Sequence, residues 1–205
     1  WVATKQFGMF LVFIPVYVFL LIPLRMVLTG ETRGFIKSVG TIIWAIMLTV
    51  FSLSHVAYLL VLPAQNSLAG GVGLVLFIVL MTETNDVSQY IWGKSFGKHK
   101  ITPMVSPNKT WEGFLGGLLT VTIASGLLGP YLTPLNWWQS LVAGLIIGGA
   151  GFAGDVVISA LKRDLQIKDS GTLIPGHGGV LDRLDSLIYT APLFFHYINY
   201  LCCVQ

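Results

Sequence analysis

Charge is what this sequence most lacks. Only 21 of its 205 residues are Asp, Glu, Lys or Arg, where an ordinary globular chain carries about a quarter. With 54% hydrophobic residues and a mean hydropathy of +0.76, so few charges cannot cover the surface of a soluble fold. Cysteine is scarce too: Cys202 and Cys203 are adjacent, which excludes a disulfide framework and any metal-type spacing. The net charge of +3 is too small to point to nucleic acid, and none is expected as a partner. No internal repeat, low-complexity tract or soluble domain is visible. The chain opens on Trp1, and no charged segment or cleavage site precedes the first apolar run. An N-terminally truncated or processed chain, lacking further helices, is therefore expected.

What the sequence does contain is long apolar runs. A spanning helix needs about 20 mostly apolar residues. Stretches 7–28, 39–63, 69–92, 112–133 and 139–161 come close to that length, and 184–204 is shorter and more polar. The expected fold is all-α, a polytopic integral membrane bundle of six transmembrane helices. It divides into two N-terminal spans (1–68) and a four-span membrane domain (69–205) with long loops at 93–111 and 162–183. Lysine and arginine alternate loop by loop. Arg25, Arg33 and Lys37 fall at the first loop, Lys94, Lys98, Lys100 and Lys109 at the third, and Lys162, Arg163, Lys168 and Arg183 at the fifth. Only Lys5 falls on the other side, so the positive-inside rule places the long loops in the cytoplasm. Tyr131, Trp137 and Trp138 suit the opposite membrane interface. Gly144, Gly148, Gly149, Gly151 and Gly154 of the fifth span should admit close helix packing.

Eight of the 21 charges fall in the 28 residues SALKRDLQIKDSGTLIPGHGGVLDRLDS, 159–186. Just before them, Asp155 lies inside an apolar run, where an ionisable group is a functional candidate. Ser159 and Lys162 follow at i+4 and i+7 on the same helical face. Asp182 and Asp185 also share a face at the start of the last helix, where helix capping is the plainer explanation. The preceding Gly176-His177-Gly178-Gly179 favours more: exposed backbone N–H groups before a helix N-terminus form an anion site. His177 could bind phosphate or transfer a proton. Carboxylates beside such a loop, with Lys162, Arg163, Lys168 and Arg183 nearby, suggest a metal–phosphate centre. Mg2+ suits it, since that ion takes one or two carboxylates plus phosphate oxygens and water.

The third span ends in TETNDVSQYIWGKSFGKHK. Asn85 pairs with Gln89 and Asp86 with Tyr90 at i, i+4. Glu83, Asn85, Asp86, Ser88 and Gln89 should face the bundle interior or a cavity. In SPNKTWEG, Thr110 or Asn108 can cap the fourth helix and leave Lys109 beside free N–H groups. His55 and His196 read as hydrogen-bonded structural residues.

The run Ser159-Ala-Leu-Lys162-Arg163, then Lys168-Asp169, Gly171, Pro175, His177-Gly178-Gly179 and Asp182-Arg183-Leu-Asp185 resembles the signature of phosphatidate cytidylyltransferases, or CDP-diacylglycerol synthases. The SPNKTWEGF and NDVSQYIWGKSFGKH segments resemble upstream motifs of the same family, so the likeness covers about residues 82–190. The resemblance implies a dimeric, all-helical inner (plasma) membrane enzyme with its site facing the cytoplasm. It implies Mg2+-dependent transfer of CMP from CTP to phosphatidic acid, with release of pyrophosphate. Asp155 and Asp182 would be metal ligands with Asp185 beside them, and a second cation such as K+ would share the site. Catalysis would rest on Asp155, Lys162, Arg163, Asp182 and Asp185. Asn85, Asp86, Gln89, Tyr90, Ser106, Lys109, Thr110, Glu112, Ser159, Lys168, Asp169, His177, Gly178, Gly179 and Arg183 would bind substrate, lipid tails arriving sideways between helices. A paralogue acting on a polyprenyl or glycolipid phosphate would carry the same signature. A transporter or lipid-binding protein is the remote alternative.

Overall fold

A computed structural model of the chain describes residues 4, 6–62, 70–167, 170–171 and 179–203. Six long helices account for most of them: α1 (Phe7–Leu28), α2 (Phe35–Val61), α3 (Gly70–Phe96), α4 (Trp111–Leu132), α5 (Trp137–Asp164) and α6 (Leu181–Cys203). The helical membrane architecture expected from composition is the one observed. Five of the described helices, α1 to α5, are long and apolar enough to cross a membrane. The sixth expected span exists as α6, but it does not join them. Asp182, Arg183 and Asp185 load its first turns, and His196 and Asn199 interrupt its apolar run. The division placed at residue 68 lies outside the described residues.

Local sequence explains the helix ends. Gly30 and Gly34 take φ of +74° and +67° in the α1–α2 turn, a region that side chains with a Cβ avoid. Pro15 sits in a π-helical stretch of α1, Phe13–Val18, where its missing N–H breaks the regular ladder. Asn136 and Gln139 form a reciprocal capping box on α5, with bonds of 3.0 and 2.9 Å. Thr110 caps α4, its hydroxyl accepting from the Gly113 N–H at 3.2 Å, which resolves the choice between Thr110 and Asn108.

The core lies among α2, α3, α5 and α6, around Phe77, Ile147, Phe194, Phe195 and Ile198, all fully buried. His55 is buried beside Phe10, Phe51 and Phe195, and its Nδ1–H donates to the Phe51 carbonyl at 2.9 Å. His196 is exposed, its ring 5.3 Å from that of His55. Glycines set the helix separations. A Cβ on Gly144 would meet Thr122 Cα at 2.7 Å, and one on Gly154 would meet the Asp185 carbonyl at 2.5 Å. Gly148 and Gly151 are similarly crowded, whereas Gly149 faces open space and takes no part in close packing.

The loop expected at 93–111 is largely ordered backbone. Helix α3 continues to Phe96, and two antiparallel strands follow, β1 (Lys100–Thr102) and β2 (Ser106–Thr110). Strand β2 runs directly into α4. Because α3 to α6 alternate in direction, the α3 C-terminus, the hairpin, the α5 C-terminus and the α6 N-terminus gather at one end. Tyr131, Trp137 and Trp138 lie exposed at the other.

Candidate active site at the loop ends of the helices

The polar end of α3 presents two faces. Thr82, Asn85 and Gln89 recur at i, i+3 and i+7 and are 4%, 0% and 5% exposed. Asn85 Nδ2 donates to the Gly148 carbonyl at 3.4 Å, and the hydroxyls of Thr82 and Thr190 meet at 3.1 Å. Glu83 does not join this interior group. One residue on from Thr82, it is turned about 100° away and is exposed, so its expected inward placement is corrected. Tyr90 is exposed as well.

The hairpin brings a lysine to α5. Lys109 Nζ sits 2.5 Å from Asp155 Oδ2 and donates to Gln89 Oε1 at 3.2 Å. The Ser159 hydroxyl donates to the other oxygen, Asp155 Oδ1, at 3.2 Å. Lys109, Gln89 and Asp155 border a cavity of about 520 Å³, lined also by Asp86, Tyr90, Ser106 and Thr110. Residues 69 positions apart in the sequence, Asp86 and Asp155, thus converge on one volume. Lys94, Lys100, Asn108 and Phe114 line it too and were not foreseen as site residues. Lys94 follows Tyr90 by one helical turn, a spacing that could have revealed it. Lys100 reaches the cavity only through the strand pairing that sets it opposite Thr110.

A second cluster joins α5 to α6. Lys162 Nζ donates to Asp182 Oδ1 at 3.0 Å, with the two side chains only 18% and 10% exposed. Asp182 Oδ2 accepts from the Ser170 N–H at 2.7 Å, the Ser170 hydroxyl at 2.9 Å and the Gly179 N–H at 3.0 Å. Burial works against charge on Asp182, yet these donors outweigh it and hold the carboxyl well below the usual carboxylate range. Asp185 Oδ1 accepts from the Ser186 N–H at 2.8 Å. Arg163 turns to the hairpin, its Nε donating to the Val105 carbonyl at 3.3 Å. Glu112 also serves the hairpin, accepting from the Lys98 and His99 N–H groups at 3.0 and 3.2 Å and pairing with His99 Nδ1 at 2.6 Å. Neither Arg163 nor Glu112 borders the cavity, and Arg183 stands on the first turn of α6. Lys168, Asp169, His177 and Gly178 lie outside the described residues.

Among the described residues, no three His, Cys, Asp or Glu side chains converge as a ready-made metal cage. A shared site remains compatible with the donors present. Asp86 and Asp155 line the same cavity, and Asp86 Oδ1 is buried with no hydrogen-bond partner. Two carboxylates completed by phosphate oxygens and water are enough for Mg2+.

The sequence model of the cytidylyltransferase family matches residues 1–201. The chain belongs to this family. It is 56% identical over 201 residues to an Escherichia coli (strain K12) protein, "Uncharacterized protein YnbB", covering 98% of this chain and 67% of the relative. It is 37% identical over 153 residues to a phosphatidate cytidylyltransferase of Staphylococcus epidermidis, covering 73% of this chain and 59% of that protein. A phosphatidate cytidylyltransferase of Staphylococcus haemolyticus matches at 42% over 124 residues, covering 60% of this chain and 48% of that enzyme. The chain thus spans about half to two thirds of the length of these family members.

Proposed function

We propose that the protein transfers CMP from CTP to a lipid phosphate, with phosphatidic acid as the acceptor, giving CDP-diacylglycerol and pyrophosphate. The observation that carries this reading is the convergence of Lys109, Gln89, Asp86 and Asp155 on one cavity at the loop ends of the membrane helices. In the proposed reaction a phosphate oxygen of the lipid bonds to the α-phosphorus of CTP, and the bond to the β-phosphate bridging oxygen breaks. The lipid phosphate is already ionised near neutral pH, so positioning and charge neutralisation matter more than a strong base. Asp86 and Asp155 would hold Mg2+, with Asp182 and Asp185 close by and K+ as a candidate second cation. When bound, Mg2+ would offset charge on the triphosphate and the departing pyrophosphate. Lys109 places its ammonium inside the cavity, where it neutralises phosphate, and Gln89 and Ser159 orient Lys109 and Asp155. Lys162 and Asp182 tether the segments containing Ser170 and Gly179. We infer further that the site faces the cytoplasm at the inner membrane and that the enzyme works as a homodimer, as the family resemblance implies.

A second reading keeps the chemistry and changes the acceptor to a polyprenyl or glycolipid phosphate. It is favoured by a cavity lined by lysines and carboxylates, which reads phosphate groups rather than the chains attached to them. The test is incubation of purified protein with radiolabelled CTP and a panel of lipid phosphates, with Mg2+ or with EDTA. Label is expected in phosphatidate-derived lipid, and only with Mg2+. Label in another lipid phosphate alone selects the second reading, and no label in any lipid overturns both.

A further inference from the structure

Two further lysines, both exposed, border the same cavity. Lys94 is exposed in the last turn of α3, its Nζ 5.8 Å from the centre of the Tyr90 ring. Lys100 is exposed at the start of β1. Among the described residues neither forms an ion pair, in contrast to Lys109 and Lys162. The same side of α3 carries Ile91, 54% exposed, and Val87, 56% exposed, before the exposed Glu83 one turn further along. In a bilayer that surface faces acyl chains, and Tyr90, 67% exposed, stands where apolar surface gives way to the lysines. Tyr90 and Lys94 of α3 thus line the cavity, and Val87 and Ile91 adjoin them on the exposed side of the same helix.

We propose that Lys94 and Lys100, with Tyr90, form the binding site for the phosphate of an amphiphilic lipid, whose chains lie along Val87 and Ile91. This assignment rests on the lipid-phosphate transfer proposed above and specifies where the acceptor docks. It separates two anion positions within one cavity. Lys109, deep and paired to Asp155, is left to the nucleotide, while the exposed, unpaired lysines take the lipid. An ammonium is suited to this place, since its flexible stem packs against apolar surface while the charge reaches the phosphate.

The experiment measures binding of fluorescent dioleoyl phosphatidate to the purified protein without nucleotide, alongside turnover. Lys94→Ala with Lys100→Ala is expected to weaken phosphatidate binding by about 10-fold or more, the size of one or two lost hydrogen bonds to a charged group. The corresponding Arg substitutions are expected to restore it. In turnover the double alanine variant raises KM for phosphatidate and leaves KM for CTP unchanged. Fluorescent diacylglycerol, which lacks the phosphate, binds weakly to every variant. Wild-type binding by the double alanine variant overturns the assignment, as does a rise in KM for CTP in place of the lipid. Displacement of phosphatidate by equimolar glycerol 3-phosphate also overturns it, because the site would then read a free anion. If wild type transfers CMP to no lipid but the binding differences hold, the docking site stands and the proposed reaction falls.

Discussion

Asp155 has Lys109 on one oxygen and Ser159 on the other and borders the cavity. Asp182 collects four donors, two of them backbone N–H groups from Ser170 and Gly179. Asp155→Asn is therefore expected to abolish CMP transfer while changing the melting temperature little. Asp182→Asn should lower both, with a stability loss of up to about 3 kcal/mol, because an amide can accept on one side only and leaves part of the four-donor set unpaired. Thermal unfolding and transfer rate measured on the two variants separate the roles, and equal melting temperatures would refute the distinction. The prominence of these residues was legible in the sequence, because a carboxylate in a charge-poor chain stands out. Their partners were less so. The Lys109–Asp155 and Lys162–Asp182 pairs join residues 46 and 20 positions apart, and only the packing of helices sets those distances. Glu83 could have been read correctly, since helical geometry alone turns it away from Asn85.

At the scale of elements, the glycines of α5 do most to bring the site together. Gly154 lies against the Asp185 carbonyl, so α5 and α6 approach within reach of both Asp155 and Asp185. Gly154→Val must push α6 outward. Overpacking of this kind costs about 1–3 kcal/mol, and transfer activity should fall by more than the folded fraction does. Gly149→Val, at a position facing open space, is the matched control and should keep wild-type melting and turnover. Helix existence and length were legible from apolar runs, but the hairpin was not. Strands of three and five residues carry almost no periodic signal, and one of them holds Pro107 and Asn108, which read as turn or cap. What fixes the hairpin is Glu112 in the first turn of α4, gathering the N–H groups of Lys98 and His99.

For the molecule as a whole, the loop-by-loop distribution of lysine and arginine predicts which end faces the cytoplasm. With Cys202 and Cys203 replaced by Ser, a membrane-impermeant maleimide added to intact cells should label Trp138→Cys and spare Met104→Cys. The reverse pattern would refute the proposed orientation. Met104 is 92% exposed at the hairpin tip, next to Val105, whose carbonyl is held by Arg163 of α5. A side chain so free, on backbone so tied, makes the tip a natural graft point. A fiducial domain inserted there would ride with the bundle, giving a small, nearly featureless membrane protein a handle for particle alignment in electron cryomicroscopy.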